Sequence, residues 1–518
     1  MRRIAAVAVV VGLAGCAVTS GVRTEQARQV VLPPPTEPST TAPVTPPPTN
    51  PTVPAPPSTA PPVTEPPATE PPSTTDGPPG TVPPDSVPPE LADILDPGDA
   101  KPRRPYDDFV LATLVDLQLW WGENFPAVFG EPFEPLQGAV YPAYPQRADG
   151  IPGCGGAKET TYEEVSEFGA FYCAEGDFMV YDDGEDGILF TLADEFGQSV
   201  LGVVLAHEFG HAIQARTGVL ARNVPTVVTE QQADCFAGAW VRRAVDGEAT
   251  GLTMGDEDIR TGLTAMIAVR DPVGTDPFAP GGHGSAFDRV GAFQVGFTDG
   301  LKRCARLIDD PLPLVPTSFR LGDTDGNADY GFGDGQIVSI IRDDLNDFWS
   351  RAAPEALPEL AVVAVDSADG LTCPDALGSP VTGAVYCPGA AQVLYDESTG
   401  FDLYQRFGDF SIGYVLGGAW SEAVQHAAGS ELVGEERALL DDCLVGAWVA
   451  DIVPGPDGTT PRGAAEIEPG DLDEAIQAAL VVGDDRSEDD VLGSAFEKIA
   501  SFRVGVLQGL DACAALPD

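Results

Sequence analysis

A chain of 518 residues with 80 acidic against 28 basic side chains has a formal charge of −52 and repels nucleic acid and anionic lipid headgroups, so both are excluded as direct partners. The acidity reads as a solvated, soluble surface, and the length leaves room for two or three domains once unstructured parts are set aside. None of the nine cysteines sits in a CxxC pair, which argues against a cysteine zinc site.

The chain opens with Arg2 and Arg3 before an apolar run from Ile4 to Leu13. That run is too short to span a bilayer and reads as a signal peptide over residues 1–16. It ends in Leu13-Ala14-Gly15-Cys16, which resembles the lipobox of bacterial lipoproteins. The resemblance implies that Cys16 becomes the acylated first residue of the mature chain, anchored on the extracellular face of the cell membrane. Two or more acyl chains give stable anchoring where one does not. An ordinary secretory signal with an incidental cysteine is the alternative. Residues 17–104 form a stalk, and its Pro- and Thr-rich part (32–99) lacks the aromatic and large aliphatic residues needed to bury a core. As an extended spacer, at about 3.1 Å per residue, it reaches at most on the order of 200 Å.

The segment 105–312 carries the chemistry. Phe178-Met179-Val180-Tyr181 is short, apolar and β-prone, and predicts a strand. From Ser199 to Ala215 apolar residues recur at helical spacing, and Gly218 is a plausible stop. Inside this helix His207, Glu208 and His211 spell H-E-x-x-H. Positions i and i+4 share a helix face, so both imidazoles turn toward one point, as two ligands of a tetrahedral metal must. Glu208 is one residue round and can reach a water on that metal without binding it. The chain has only four histidines, and two of them stand here. A second helical stretch offers Glu230 and Asp234, again i and i+4. One carboxylate can complete the metal site while the other accepts the N–H of a liganding imidazole. The arrangement resembles the gluzincin pattern, HExxH followed by ExxxD. The wording E-Q-Q-A-D-C-F-A-G-A-W is closer still to the bacterial family of putative neutral zinc metallopeptidases. The resemblance implies that His207, His211 and Glu230 hold one Zn²⁺, that Glu208 is the catalytic base, and that Asp234 orients a histidine. It also points to His283, in an H-G-S segment upstream of Arg289, as a donor to the developing oxyanion. In gluzincins the strand before the HExxH helix pairs with substrate backbone, which marks Phe178–Tyr181 for that role.

The junction, 313–335, contains LGDTDGNADYGFGDGQ. Asp323, Asp325, Asn327, Asp329 and Asp334 fall at EF-hand-like positions, but Ala328 replaces the turn glycine and Asp334 the closing Glu. It reads as a polar, Gly-rich loop, with a Ca²⁺ loop as the alternative.

Residues 336–518 repeat the earlier segment. GSAFDRVGAFQVGFTDGLKRC matches GSAFEKIASFRVGVLQGLDAC, LGVVLAHEFGHAIQA matches IGYVLGGAWSEAVQH, and DCFAGAW returns as DCLVGAW. A duplication this long means two copies of one domain. The expected fold is therefore mainly α with a small β-sheet, in two tandem zincin-like copies with the second degenerate. The repeat also suggests cysteine pairs that work twice: Cys154 with Cys173, Cys235 with Cys304, Cys373 with Cys387 and Cys443 with Cys513. Closing such loops adds roughly 3–4 kcal/mol each in the entropy model. In the second copy Gly418, Ala419, Glu422 and Ala438 stand where the first has His207, Glu208, His211 and Glu230, while Asp442 persists opposite Asp234. That copy should carry no metal.

Together these features point to a zinc-dependent peptidase outside the cytosol, acting on a peptide or protein and touching the membrane only through its lipid. The alternative is a cell-surface binding or scaffold lipoprotein with a residual zinc site.

Overall fold

The computed structural model describes residues 94–514, apart from 274, 277, 280, 315–329, 334–335, 354–356, 367–370, 374–382, 455–461, 464, 466, 469 and 483–494. Cys16, the proline-rich stalk and the junction's Asp323, Asp325, Asn327, Asp329 and Asp334 lie outside the described residues. The described residues belong to one compact unit.

The architecture is mainly α with small β-sheets. In the first half α1 is Asp107–Phe129, β1 Val140–Ala143, β2 Ile151–Pro152, β3 Glu159–Thr160, α2 Tyr162–Phe168, β4 Ala170–Cys173 and β5 Phe178–Asp182. Then come α3 (Ile188–Phe196), α4 (Ser199–Arg216), α5 (Thr226–Val245), α6 (Asp256–Ala268), α7 (Ala286–Asp299) and α8 (Leu301–Cys304). Helix α4 is buried on nearly every side, so it is the central helix, with α1, α3, α5, α6 and β4 packed around it. It ends where Gly218 turns left-handed at φ +71°.

Helices α5 and α7 approach so closely that side chains are excluded from the contact. A Cβ on Gly238 would lie 2.0 Å from the Phe293 carbonyl oxygen, and one on Gly296 1.8 Å from that of Cys235. The Cys235–Cys304 disulfide links α5 to α8, just beyond this crossing. Trp240 of α5 donates to Asp116 of α1 at 3.0 Å, which ties the layers together.

The second half uses α9 (Ile337–Ala352), β6 (Ala361–Val365), β7 (Ala384–Cys387), β8 (Gln392–Asp396), α10 (Glu397–Phe407), α11 (Phe410–Ala428), α12 (Gly434–Ile452), α13 (Asp471–Val481), α14 (Ala495–Gln508) and α15 (Leu510–Cys513). Its sheet order β6-β8-β7 has the same senses as β1-β5-β4, with the outer pairs parallel and antiparallel respectively. Gly446 and Gly505 make the same close helix crossing, against Phe502 and Cys443. Trp448 donates to Asp344 at 2.7 Å as Trp240 does to Asp116. The structure joins Cys154 to Cys173, Cys235 to Cys304, Cys373 to Cys387 and Cys443 to Cys513.

One expectation is corrected. The Phe178–Tyr181 stretch is a strand, but β5 is the middle of its sheet, with β1 on one side and β4 on the other. Both ladders of backbone groups are already used, so β5 has no edge to offer a substrate. The edge next to the central helix is β4. The segment's apolar run fits a strand buried on both faces, and all five of its residues are buried.

Candidate metal centre

Helices α4 and α5 bring three sequence-predicted residues together. His207, His211 and Glu230 each offer a ligand atom, and these atoms lie within 4.8 Å of one another. All three are buried. The His207 and His211 Nε2 atoms are 3.2 Å apart, with their rings at 88°. Glu230 Oε2 is 3.2 Å from His207 Nε2 and Oε1 is 3.5 Å from His211 Nε2. Packing allows this approach because α4 presents Gly210 to α5, where a Cβ would sit 2.9 Å from Ala233 Cα.

The outer nitrogens show why the inner ones converge. His207 Nδ1 lies 2.6 Å from Asp234 Oδ1, and His211 Nδ1 lies 3.0 Å from Gln214 Oε1. An imidazole that donates from Nδ1 carries its lone pair on Nε2. Two such lone pairs and a carboxylate then face one point. Glu230 Oε2 accepts no hydrogen bond although it is buried. With both imidazoles neutral, three acceptors converge with no donor among them, which a cation resolves, and two imidazoles with one carboxylate suit zinc. The residues present therefore fit a catalytic zinc site.

The electrostatics agree. Burial pulls His207 down, but Asp234 and Glu230 more than reverse this and push it up to about 10. A bound cation takes the place of that proton. Burial would raise Glu230, yet His211, His283 and His207 hold it well below the usual carboxylate range. Asp234 is likewise held ionised against burial, by Arg289 and His207. Arg289 grips Asp234 with two bonds, Nε to Oδ2 at 3.0 Å and Nη2 to Oδ1 at 2.8 Å, and donates from Nη1 to the Val269 carbonyl.

Glu208 is the one partly open residue between Ser199 and Gln214 on α4, and none of the described side chains binds its carboxylate. His283 lies between α6 and α7, about two-fifths exposed, with Nδ1 3.4 Å from Asp271 Oδ1. Its nearest charged partner is thus Asp271. It influences Glu230 only through space.

Sequence reasoning missed two residues here. Arg289 served only as a landmark, whereas it anchors Asp234. Gln214 went unnoticed, although its counterpart Gln425 repeats. Gln214 donates to the Thr229 carbonyl at 2.7 Å, and Gln425 to the Arg437 carbonyl at 2.9 Å. The repeat was the available signal: a residue kept in both halves joins the two helices whether or not histidine is present.

In the second half the matching positions hold no such ligand set. Tyr414 donates its hydroxyl to Asp442, and Lys498 stands where the first half has Arg289. Another close group of buried acids, Asp409, Asp471 and Glu474, occurs at none of the matching positions and contains no imidazole. Glu422, at the place of His211, is buried and, among the described residues, accepts one long bond, 3.4 Å from the Tyr386 N–H. Burial pushes its carboxyl up to about 7. A native pKa above the unfolded value means that the folded state holds a proton which the unfolded chain releases. The associated stability is present below about pH 4.5 and lost as pH rises through about 7. At about 1.4 kcal/mol per unit, the loss is on the order of 3 kcal/mol. Urea unfolding of zinc-loaded protein should therefore show stability falling from pH 5 to pH 8, and Glu422→Gln should shrink that fall. Equal falls in both proteins would refute the assignment.

Residues 151–305 match the model of the family described as putative neutral zinc metallopeptidase. An uncharacterized protein of Mycobacterium tuberculosis (strain H37Rv) is 35% identical over 172 residues, 29% of this chain and 55% of that protein. An uncharacterized protein of Mycobacterium bovis matches to the same extent. The uncharacterized protein YpfJ of Escherichia coli (strain K12) is 29% identical over 222 residues, 38% of this chain and 68% of its own. The chain thus spans about half the length of the mycobacterial relatives it matches. No solved structure matches it.

Proposed function

From a first half that carries the pattern of a zinc metallopeptidase family, we propose that this protein hydrolyses peptide bonds outside the cytosol, anchored through Cys16, and that its second half is a copy that has lost the ligands. The observation that carries the reading is the convergence of His207, His211 and Glu230 with an unsatisfied Glu230 oxygen between α4 and α5. Zinc held there would supply a Lewis acid and a bound water of lowered pKa. Glu208 takes a proton from the attacking water and returns it to the leaving amine. Asp234 keeps the His207 proton on Nδ1, and Gln214 does the same for His211. Arg289 keeps Asp234 charged. His283, about two-fifths exposed, is the candidate donor to oxygen as negative charge develops there. Four disulfides suit an oxidising compartment. No helix among the described residues is long and apolar enough to cross a membrane.

Metal analysis tests this directly. The purified protein should carry one zinc per chain and His207→Ala none. Chelation should stop cleavage of casein or unstructured peptides, and added zinc should restore it. Stoichiometric zinc with no cleavage of any peptide would favour the scaffold reading instead.

A further inference from the structure

The residue that frames the His283 segment comes from the other half of the chain. Asp473 sits in the first turn of α13 and is 3% exposed. Its Oδ1 accepts the Phe287 backbone N–H at 2.9 Å, at the start of α7. Its Oδ2 lies 3.1 Å from Arg270 Nε, an ion pair rather than an aligned hydrogen bond. Arg270 lies two residues past the end of α6, and its Nη1 donates to the Ile267 carbonyl at 3.0 Å. One carboxylate therefore grips both ends of the connection between α6 and α7, the connection that carries His283.

Inside that frame the segment closes on itself. Gly284 N donates to Asp271 Oδ2 at 2.8 Å and Asp271 N to the Gly284 carbonyl at 3.1 Å. Asp271 Oδ1 then meets His283. Gly281 N reaches Thr226 Oγ1 at the start of α5, the helix of Glu230. The second half adds Arg503, which lies over the Phe287 ring and donates to the Phe287 carbonyl.

We propose that Asp473 is a positioning residue: by holding Arg270 and the Phe287 N–H together, the second half fixes where His283 stands relative to α5, the helix that carries Glu230. The second half then has a duty that survives the loss of its own ligands. The inference rests on the peptidase reading only for its effect on rate, not for its effect on the segment.

Amide hydrogen exchange on the full-length, zinc-loaded protein reads the segment without reference to catalysis. In Asp473→Ala, peptides covering 278–285 should exchange at least about tenfold faster, while those of α4 and α5 keep wild-type rates. Asp473→Asn retains an oxygen for Phe287 N–H and loses the ion pair, so it should fall between; it also serves if the alanine variant does not fold. Zinc content should stay at one per chain. In kinetics, Asp473→Ala should lower kcat with KM little changed, by roughly ten- to a hundredfold, as expected for a misplaced catalytic group. In a His283→Ala background the same substitution should cost almost nothing further. Unchanged exchange at 278–285 in both variants would overturn the proposal even if the enzyme is active. Equal rate losses with and without His283 would overturn its link to catalysis. If the wild-type protein cleaves nothing, the peptidase reading fails while the exchange result still decides the positioning.

Discussion

Glu208→Gln is expected to lower kcat for peptide hydrolysis by about a thousandfold or more while one zinc per chain stays bound. Two observations carry this. Glu208 is outside the ligand set, since the convergent atoms belong to His207, His211 and Glu230. It is also the partly open side chain between the two histidines, with no described partner to hold it elsewhere. The amide has nearly the shape of the acid, so α4 should fold unchanged. What it loses is the ability to take a proton, and general base catalysis contributes typically about 10²–10⁴-fold. KM should move little, because binding of substrate is not what the carboxylate supplies. A Glu208→Gln protein with near wild-type kcat would remove the base from the mechanism. One that no longer binds zinc would mean that Glu208 belongs to the ligands after all.

Asp234→Ala is expected to do more damage to the fold than loss of a ligand does. The carboxylate takes His207 Nδ1 on one oxygen and both arms of Arg289 across the two, all of it buried. Removing it leaves the Arg289 guanidinium, 3% exposed, charged and unpaired. Breaking a buried pair on one side costs about 3–5 kcal/mol. His207 at the same time loses its orienting partner, which should weaken zinc about 10–100-fold. Chemical denaturation and zinc titration measure the two effects separately. Weakened zinc with unchanged stability would mean that Arg289 finds another partner and that the buried-charge argument fails. The second half supports the larger effect. At the matching positions it has neither of the histidines nor either of the glutamates, yet it has Asp442, with Tyr414 donating to it and Lys498 in the place of Arg289. A carboxylate that is bonded and buried with no metal ligand beside it serves the packing there, and the same argument applies to Asp234.

The sequence alone could determine what depends on neighbours along the chain. His207 and His211 share a face because an α-helix turns once every 3.6 residues, and the same holds for Glu230 and Asp234. The internal match in the sequence pointed to two halves alike in their elements and their cysteine pairs before any coordinate was known. The tertiary structure alone decided the partners that are far apart in sequence. Arg289 finds Asp234 across 55 residues and Asp473 finds Phe287 across 186. It also put β5 in the middle of its sheet, because whether a strand is an edge depends on which other strands pair with it, not on its own residues. A helical period is a local rule that residue spacing states outright. Pairing of buried charges and strands is chosen by which surfaces the packed core brings within about 3 Å, and no local pattern encodes that choice.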